Sequence, residues 1–230
     1  MGEKRKNLCR ILSAFILCIA LASAIRMTMP PNEEPAVPAM VYLDPGHGGF
    51  DFGAVGHLAG GGRLLEKELV LHVAQDCATR LRAAGVEVLL SRENDERLTY
   101  TTAPDEVRAR RAAAGEAGVD LVLSLHANAY AGQGRAYGPR VYYNPESEPS
   151  KQAAERIAAA ISQHTGALCG RECRLVADGS YYILADPALP AVLIELGFLS
   201  DGQECALLAD EGYQAKLAEA ICAGLLGEET

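Results

Sequence analysis

The chain has 230 residues and a mass of 24.4 kDa, which fits one sizeable domain or at most two small ones. Hydrophobic residues make up 49% of the sequence and charged residues 22%, and this composition excludes wholesale disorder. The net charge of −9, the absence of Trp and the 6% aromatic content argue against a nucleic-acid partner, because phosphate binding needs a basic surface and base stacking needs aromatic side chains.

The N-terminal segment differs from the rest of the chain. Residues 1–24 carry four Lys or Arg residues against one Glu, a net +3, which leaves −12 for the remainder (−9 minus +3). An uncharged run at 11–25 follows the basic residues and contains Ala22-Ser23-Ala24, a small-x-small cleavage pattern. Residues 1–25 therefore predict a signal peptide or an N-terminal membrane anchor that contacts the export machinery or the membrane. The sequence leaves cleavage open, and both outcomes place the body outside the cytoplasm.

Beyond this leader, residues 26–39 are Pro-rich and predict a tether, and residues 40–230 predict the main folded domain. Strand and helix patterns alternate through that domain, which predicts a single three-layer α/β domain with a mostly parallel sheet flanked by helices. The strand patterns lie at residues 40–44, 86–91, 119–125, 140–143 and 191–195, and the helix patterns at 66–84, 105–116, 150–165 and 212–226.

Three polar residues come at the ends of predicted strands. His47 follows the first strand, His126 ends the buried strand at 119–125, and Glu195 ends the strand at 191–195. Since the carboxyl ends of parallel strands meet at one edge of a sheet, these side chains should lie close together. A zinc site would need a third ligand, for which Glu66 at a helix start is the candidate. Glu68 is the alternative and points about 200° away around the helix.

The remaining His and Cys residues give no better metal set. His57 lies close to His47 in a loop and is the alternative loop ligand, whereas His72 lies about 240° around the helix from Glu66 and cannot share a metal with it. Of the five Cys residues after the leader, Cys169 and Cys173 could close a disulfide loop or remain thiols, and their spacing is not that of a zinc knuckle.

Four motifs in order resemble those of the zinc-dependent N-acetylmuramoyl-L-alanine amidases of the type 3 family. Residues 44–49 (DPGHGG) resemble the opening motif, residues 66–67 (EK) the second, residues 124–128 (SLHAN) the third and residues 190–200 (PAVLIELGFLS) the closing motif. Together they cover roughly residues 40–227.

The resemblance implies a six-stranded α/β fold, one catalytic zinc ion per chain, and hydrolysis of the amide between N-acetylmuramic acid and L-alanine in peptidoglycan. It assigns His47, Glu66 and His126 as zinc ligands and Glu195 as the catalytic carboxylate. The short leader and residues 64–67 (LLEK) look most like the spore-cortex amidases, which act in muramic-lactam formation.

Two other functions remain open from the sequence: a wall-binding module of the same fold that has lost turnover, and a zinc peptidase that cuts stem peptides. A requirement for a protein activator is also left open. Arg108, Arg110 and Arg111 on one predicted helix are candidate contacts for the anionic wall, although residues with this spacing cannot all face the same way.

Overall fold

The computed structural model describes residues 37–95, 103–132 and 136–228. The predicted leader at 1–25 and the tether as far as residue 36 lie outside these residues. The sequence also predicts a polar loop at 92–103, and most of that loop lies outside them as well. In the part of the chain that is described, no helix has the length and apolar character needed to cross a membrane.

Strands and helices alternate in the described residues. The strands are β1 (Met40–Pro45), β2 (Val55–His57), β3 (Arg63–Leu65), β4 (Glu87–Leu90), β5 (Leu121–Asn128), β6 (Arg140–Tyr143), β7 (Arg174–Ala177) and β8 (Ala191–Phe198). The helices are α1 (Glu66–Ala83), α2 (Ala103–Ala117), α3 (Glu148–Cys169), α4 (Gly202–Leu208) and α5 (Glu211–Leu226), with a 3₁₀ turn at Tyr182–Leu184.

The main sheet has six strands in the order β4-β1-β5-β8-β6-β7. Strands β4, β1, β5 and β8 are parallel to one another, whereas β6 is antiparallel to β8 and β7 is parallel to β6. The prediction of a mostly parallel sheet is therefore confirmed. Because β6 and β7 are reversed, their first residues lie at the same edge as the last residues of the other four strands.

Helices cover both faces of this sheet, as a three-layer domain requires. Successive β1 residues point to opposite faces: Val41 and Leu43 belong to a core that includes residues of α1, α3 and α5. Tyr42 belongs to a smaller core that includes Ala114 of α2 and Ile183 of the 3₁₀ turn. The central strands are buried on both faces, which explains their near-continuous apolar sequences.

Helix ends follow local capping rules. Helix α1 starts with Glu66 and Glu68 in its first turn and has Arg80 and Arg82 in its last turn, so both sets of charges complement the helix dipole. Helix α3 begins before and ends after the predicted 150–165, because proline is tolerated in a first helical turn and the left-handed Gly170 stops the helix.

The sequence patterns did not identify β2, β3, β7 and α4. Strands β2 and β3 form a separate antiparallel pair, β7 is the mainly exposed edge strand, and α4 has only 7 residues. Each is too short or too exposed to give a clear hydrophobic period.

Candidate metal centre

The three predicted ligands come together at the carboxyl edge of the sheet. His47 follows β1, His126 lies in β5, and Glu66 is the first residue of α1. The Glu66 Oε1 atom lies 3.0 Å from His47 Nε2 and 3.0 Å from His126 Nδ1. One donor atom from each of these residues lies within 4.8 Å of the other two, so the three side chains converge on one point.

Glu66 is held in place by backbone donors. Its Oε2 atom accepts a hydrogen bond from the Ala54 N–H at 2.7 Å, and Oε1 accepts one from the Ala127 N–H at 2.9 Å. Burial opposes the charge on Glu66, but the hydrogen bonds from His126 and His47 hold its pKa below the usual range. The side chain is therefore a fixed anion in the described structure, as a carboxylate ligand should be.

His47 is fixed by a second carboxylate. Its Nδ1 atom lies 2.9 Å from Asp51 Oδ2, so a proton on Nδ1 bonds to Asp51, and in the neutral ring the lone pair of Nε2 is then the one that a metal ion would take. Burial lowers the pKa of His47, and the bonds to Glu66 and Asp51 outweigh that effect and raise it to about 9. The sequence alone did not indicate this role for Asp51; its signal is the position four residues after His47.

The backbone at His47 is strained and needs support. His47 is the non-glycine residue with a positive φ, 62°, in the described part of the chain, a conformation that costs about 1–3 kcal/mol. Arg110 Nη2 donates to the His47 carbonyl at 2.7 Å, and Arg92 Nη2 donates to the Gly46 carbonyl at 2.9 Å. These two arginines also both donate to the Pro45 carbonyl and so hold the whole turn.

Two glycines let the ligands approach closely. A Cβ on Gly46 would lie 2.2 Å from His126 Cε1, and one on Gly53 would lie 2.5 Å from Glu66 Oε2. Gly53 also has a φ of +64°, which L side chains rarely adopt. No side chain fits at either position without moving a candidate ligand.

The prediction of Arg110 as a wall contact is wrong. Its side chain is buried and forms ion pairs with Asp44, at 3.0 Å, and with Glu106. Burial opposes the charge on Asp44, but the Arg110 guanidinium holds the pKa of this carboxyl below its usual range. Arg111 pairs with Asp186 at 3.1 Å, and only Arg108 projects well into solvent.

Glu195 lies beside the three converging side chains but outside the set. It is the residue of β8 directly paired with His126 of β5. It is 8% exposed, and among the described residues its Oε2 has no hydrogen-bond partner. Burial raises its pKa to about 7, against the opposing influence of His126. Such a carboxyl group can both accept and release a proton near neutral pH.

These residues line a cleft. Its lining includes His47, His126 and Glu195 together with Tyr181, Tyr182, Ile183 and side chains of α2. A concave site of this kind can take a group of the substrate next to the candidate ligands.

The competing residues lie elsewhere. Glu68 and His57 are exposed, and neither belongs to the converging set. His72 bonds to Gln214 of α5 instead. Cys169 and Cys173 are free thiols.

The converging side chains fit a zinc ion by their chemistry. Two imidazole nitrogens and one carboxylate oxygen form a donor set that zinc prefers, and three protein ligands leave a position for water or substrate. The Asp51 contact to the second nitrogen of His47 is the outer-shell bond that such histidines usually have.

Fold and site together are those of an α/β hydrolytic enzyme with a candidate metal centre at the edge of its sheet. The sequence profile described as N-acetylmuramoyl-L-alanine amidase matches residues 41–226, and the chain belongs to this family of peptidoglycan amidases. The resemblance seen in the four motifs is thereby confirmed.

Two proteins of Bacillus subtilis are similar to this chain over most of their length. YqiI of Bacillus subtilis (strain 168) is 34% identical over 205 residues, which cover 87% of this chain and 91% of that protein. The germination-specific N-acetylmuramoyl-L-alanine amidase of the same organism is 32% identical over 203 residues, 85% of this chain and 82% of that protein.

A solved structure is similar to this chain as well. The CwlD amidase from Clostridioides difficile, determined in complex with the GerS lipoprotein, is 30% identical and superposes with a TM-score of 0.70. The match covers 82% of this chain and 97% of that one. The six-stranded α/β fold is therefore shared with a solved amidase.

Proposed function

We propose that this protein is a zinc-dependent hydrolase of the amide bond between N-acetylmuramic acid and L-alanine in peptidoglycan. The observation that carries the proposal is the convergence of His47, Glu66 and His126 at one point, with the buried Glu195 on the neighbouring strand. Two histidines and one carboxylate are the ligands of several hydrolytic zinc enzymes.

In the proposed mechanism, the chain's own groups hold and move protons. His47, Glu66 and His126 would hold a zinc ion, and Asp51 fixes the orientation of His47. Zinc in such a site supplies Lewis acidity at the scissile carbonyl and lowers the pKa of water. Glu195 accepts a proton from the attacking water and returns it to the departing alanine nitrogen. Its pKa of about 7 suits both directions of transfer.

We propose further that the body acts outside the cytoplasm, on the cell wall. Residues 1–25 are the signal peptide or anchor, residues 26–39 the tether, and residues 40–230 the catalytic domain. The profile match begins at residue 41, which supports the boundary between tether and domain. A reporter enzyme that is active only outside the cytoplasm, fused after Thr230, should be active; activity restricted to a cytoplasmic reporter would contradict export.

A role in the spore cortex is the narrower proposal. It is supported by the likeness to the germination-specific amidase of Bacillus subtilis. A deletion strain should then form spores whose cortex contains less muramic lactam, as measured by muropeptide analysis. An unchanged cortex with altered vegetative wall would reject the spore role but not the amidase activity.

Product analysis tests the reaction directly. Purified peptidoglycan is digested with the zinc-loaded chain, and the products are identified by mass spectrometry. An amidase releases peptides that begin with a free L-alanine and leaves the glycan intact. Cuts within the stem peptide would indicate a zinc peptidase, and binding without products would indicate a wall-binding module. Glu195→Gln is the matched inactive control.

A further inference from the structure

A row of functional groups crosses four adjacent strands at the catalytic edge. His126 of β5 pairs with Glu195 of β8, Glu195 pairs with Arg140 of β6, and Arg140 pairs with Arg174 of β7. Directly paired residues point to the same face of a sheet. The row therefore begins at a candidate metal ligand, passes through the proposed proton carrier and ends in two guanidinium groups.

The two arginines form no close ion pair among the described residues, although Arg140 interacts electrostatically with the carboxyl group of Glu195. The described residues place no carboxylate within 4.0 Å of either guanidinium, although the body as a whole is acidic. Arg140 Nε is buried and, among the same residues, has no hydrogen-bond partner. Like charges directly opposite one another on neighbouring strands are destabilising, so an anion bound between them would remove an unfavourable interaction.

Neighbouring side chains orient Arg140 without neutralising it. The Arg140 guanidinium lies over the Phe198 ring, 4.7 Å from its centroid, and Arg140 Nη1 lies 3.5 Å from the Tyr142 hydroxyl. Glu204 of α4 already accepts hydrogen bonds from the backbone N–H groups of Phe198 and Gly138. Stacking on one face leaves the edge of the planar guanidinium available for a bidentate contact.

Both arginines line a groove, and Arg140 lies directly beside Glu195 in the sheet. The other lining residues of the groove include Asn128, Tyr130 and Tyr137. Tyr130 is 47% exposed. Arg171 lies over the Tyr137 ring at 4.0 Å and adds a third positive charge at the margin. The groove is basic and aromatic, in contrast to the candidate metal centre beside it.

We propose that Arg140 and Arg174 form a subsite that binds a free carboxylate in the first three residues of the substrate's stem peptide. This proposal rests on the proposed function, because it takes the peptide as the group that leaves at Glu195. Adjacent strands are about 4.8 Å apart, so the two arginines are about 5 and 10 Å from Glu195 along the row. An extended peptide advances about 3.3–3.6 Å per residue, which brings its first three residues alongside this pair.

Binding to matched muropeptides tests the subsite without turnover. The full chain carrying Glu195→Gln is titrated by calorimetry with a soluble N-acetylmuramoyl tripeptide whose peptide carboxyls are either free or converted to carboxamides. The free acid should bind about 10- to 100-fold more tightly, the usual effect of a hydrogen bond to a charged group. Arg140→Gln and Arg174→Ala should each remove most of that preference, and the exposed Lys216→Ala on α5 should retain it.

Equal binding of the two tripeptides, or a preference that persists in both arginine variants, would overturn the subsite. Arg174 is exposed, so Arg174→Ala should fold even if Arg140→Gln does not. Turnover measured in the chain with Glu195 intact distinguishes direct contact of Arg140 with substrate from a positioning role. A subsite variant raises KM for the free acid alone, whereas an equal fall in kcat on both substrates would mean that Arg140 acts only through Glu195 and would reject the proposal.

Two measurements on the unaltered chain distinguish failure of the subsite from failure of the proposed function. Zinc content and hydrolysis are measured for the chain with an unaltered sequence. Absence of zinc and of hydrolysis, with the carboxylate preference intact, would reject the amidase mechanism and leave an anion-binding groove. Normal hydrolysis without any preference would reject the subsite alone.

Discussion

Two pairs of arginines lie at the same edge of the sheet and differ in what they contact. Arg92 and Arg110 are buried and donate to backbone carbonyls of residues 45–47. Arg140 and Arg174 line an open groove. The first pair is held by backbone carbonyls and, at Arg110, by the carboxylates of Asp44 and Glu106, which makes it a support for the metal centre even though Arg110 Nε has no partner among the described residues. The second pair has guanidinium N–H groups available to a ligand, and we therefore propose that it binds substrate.

The largest expected effect is loss of zinc when one of the candidate histidine ligands is removed. His126→Ala should reduce zinc content from one equivalent per chain to well below half, because two remaining protein ligands hold zinc weakly. His47→Ala should behave in the same way. Metal analysis after purification with added zinc checks this, and His57→Ala, at an exposed position, is the control. Loss of zinc from His57→Ala instead would mean that the wrong loop histidine has been chosen.

Substitutions of Glu66 and Glu195 should have different effects on zinc content and on turnover. Glu195→Gln should keep fold and zinc, since the amide is nearly isosteric, and lose turnover by about 10²–10⁴-fold, the usual contribution of a positioned general base. Glu66→Gln should lose zinc, because a neutral amide is a poor replacement for an anionic ligand. Zinc content and muropeptide release are measured on both variants. The opposite pattern would exchange the two roles.

Removing a buried guanidinium should destabilise the fold. Arg110→Met leaves Asp44 and Glu106 as buried carboxylates without their cation, which should lower the free energy of unfolding by about 3–5 kcal/mol. Arg108→Met, on the exposed face of the same helix, should change it by less than about 0.5 kcal/mol. Urea denaturation of the two variants gives the comparison. A similar small effect for both would show that Arg110 is not the support described here.

The smallest effect is expected from the outer carboxylate. Asp51→Ala removes the partner of His47 Nδ1 but no ligand, and it should weaken zinc binding by about 10- to 100-fold. Competition with a chromogenic chelator measures this change. Asp178→Ala, at a solvent-exposed carboxylate that bonds only within its own turn to Ser180, is the matched control. Unaltered affinity in Asp51→Ala would mean that His47 is oriented by its strained backbone alone.

The sequence predicted those strands, helices and site residues that a pattern among neighbouring positions in the chain indicates. The buried strand ending in His126 and the strand ending in Glu195 were identified because apolar runs broken by a polar residue are visible locally. The helix that starts at Glu66 was identified because the apolar residues after it recur at a spacing of four. All four predicted site residues lie at one edge of the sheet.

The contacts that depend on long-range packing were not predictable. Arg110 lies in a helix with other charged residues, and its burial follows from Asp44, which is 66 positions earlier. The role of Arg140 depends on the pairing of β6 with β8 and on the reversed direction of β6. Neither the register nor the direction of a strand is readable from a four-residue pattern, and β7, which carries Arg174, gave no pattern at all.

The reversed direction of β6 and β7 has a consequence for how such an enzyme can diversify. A residue at the start of a strand can be exchanged without disturbing the hydrogen-bonded ladder behind it, and Arg140 and Arg174 are both first residues. The chemistry is carried by β1, β5 and β8, on the other side of the row. If the proposed subsite is correct, substitution of Arg140 and Arg174 changes which wall peptides bind. The residues assigned to the metal and to proton transfer stay the same.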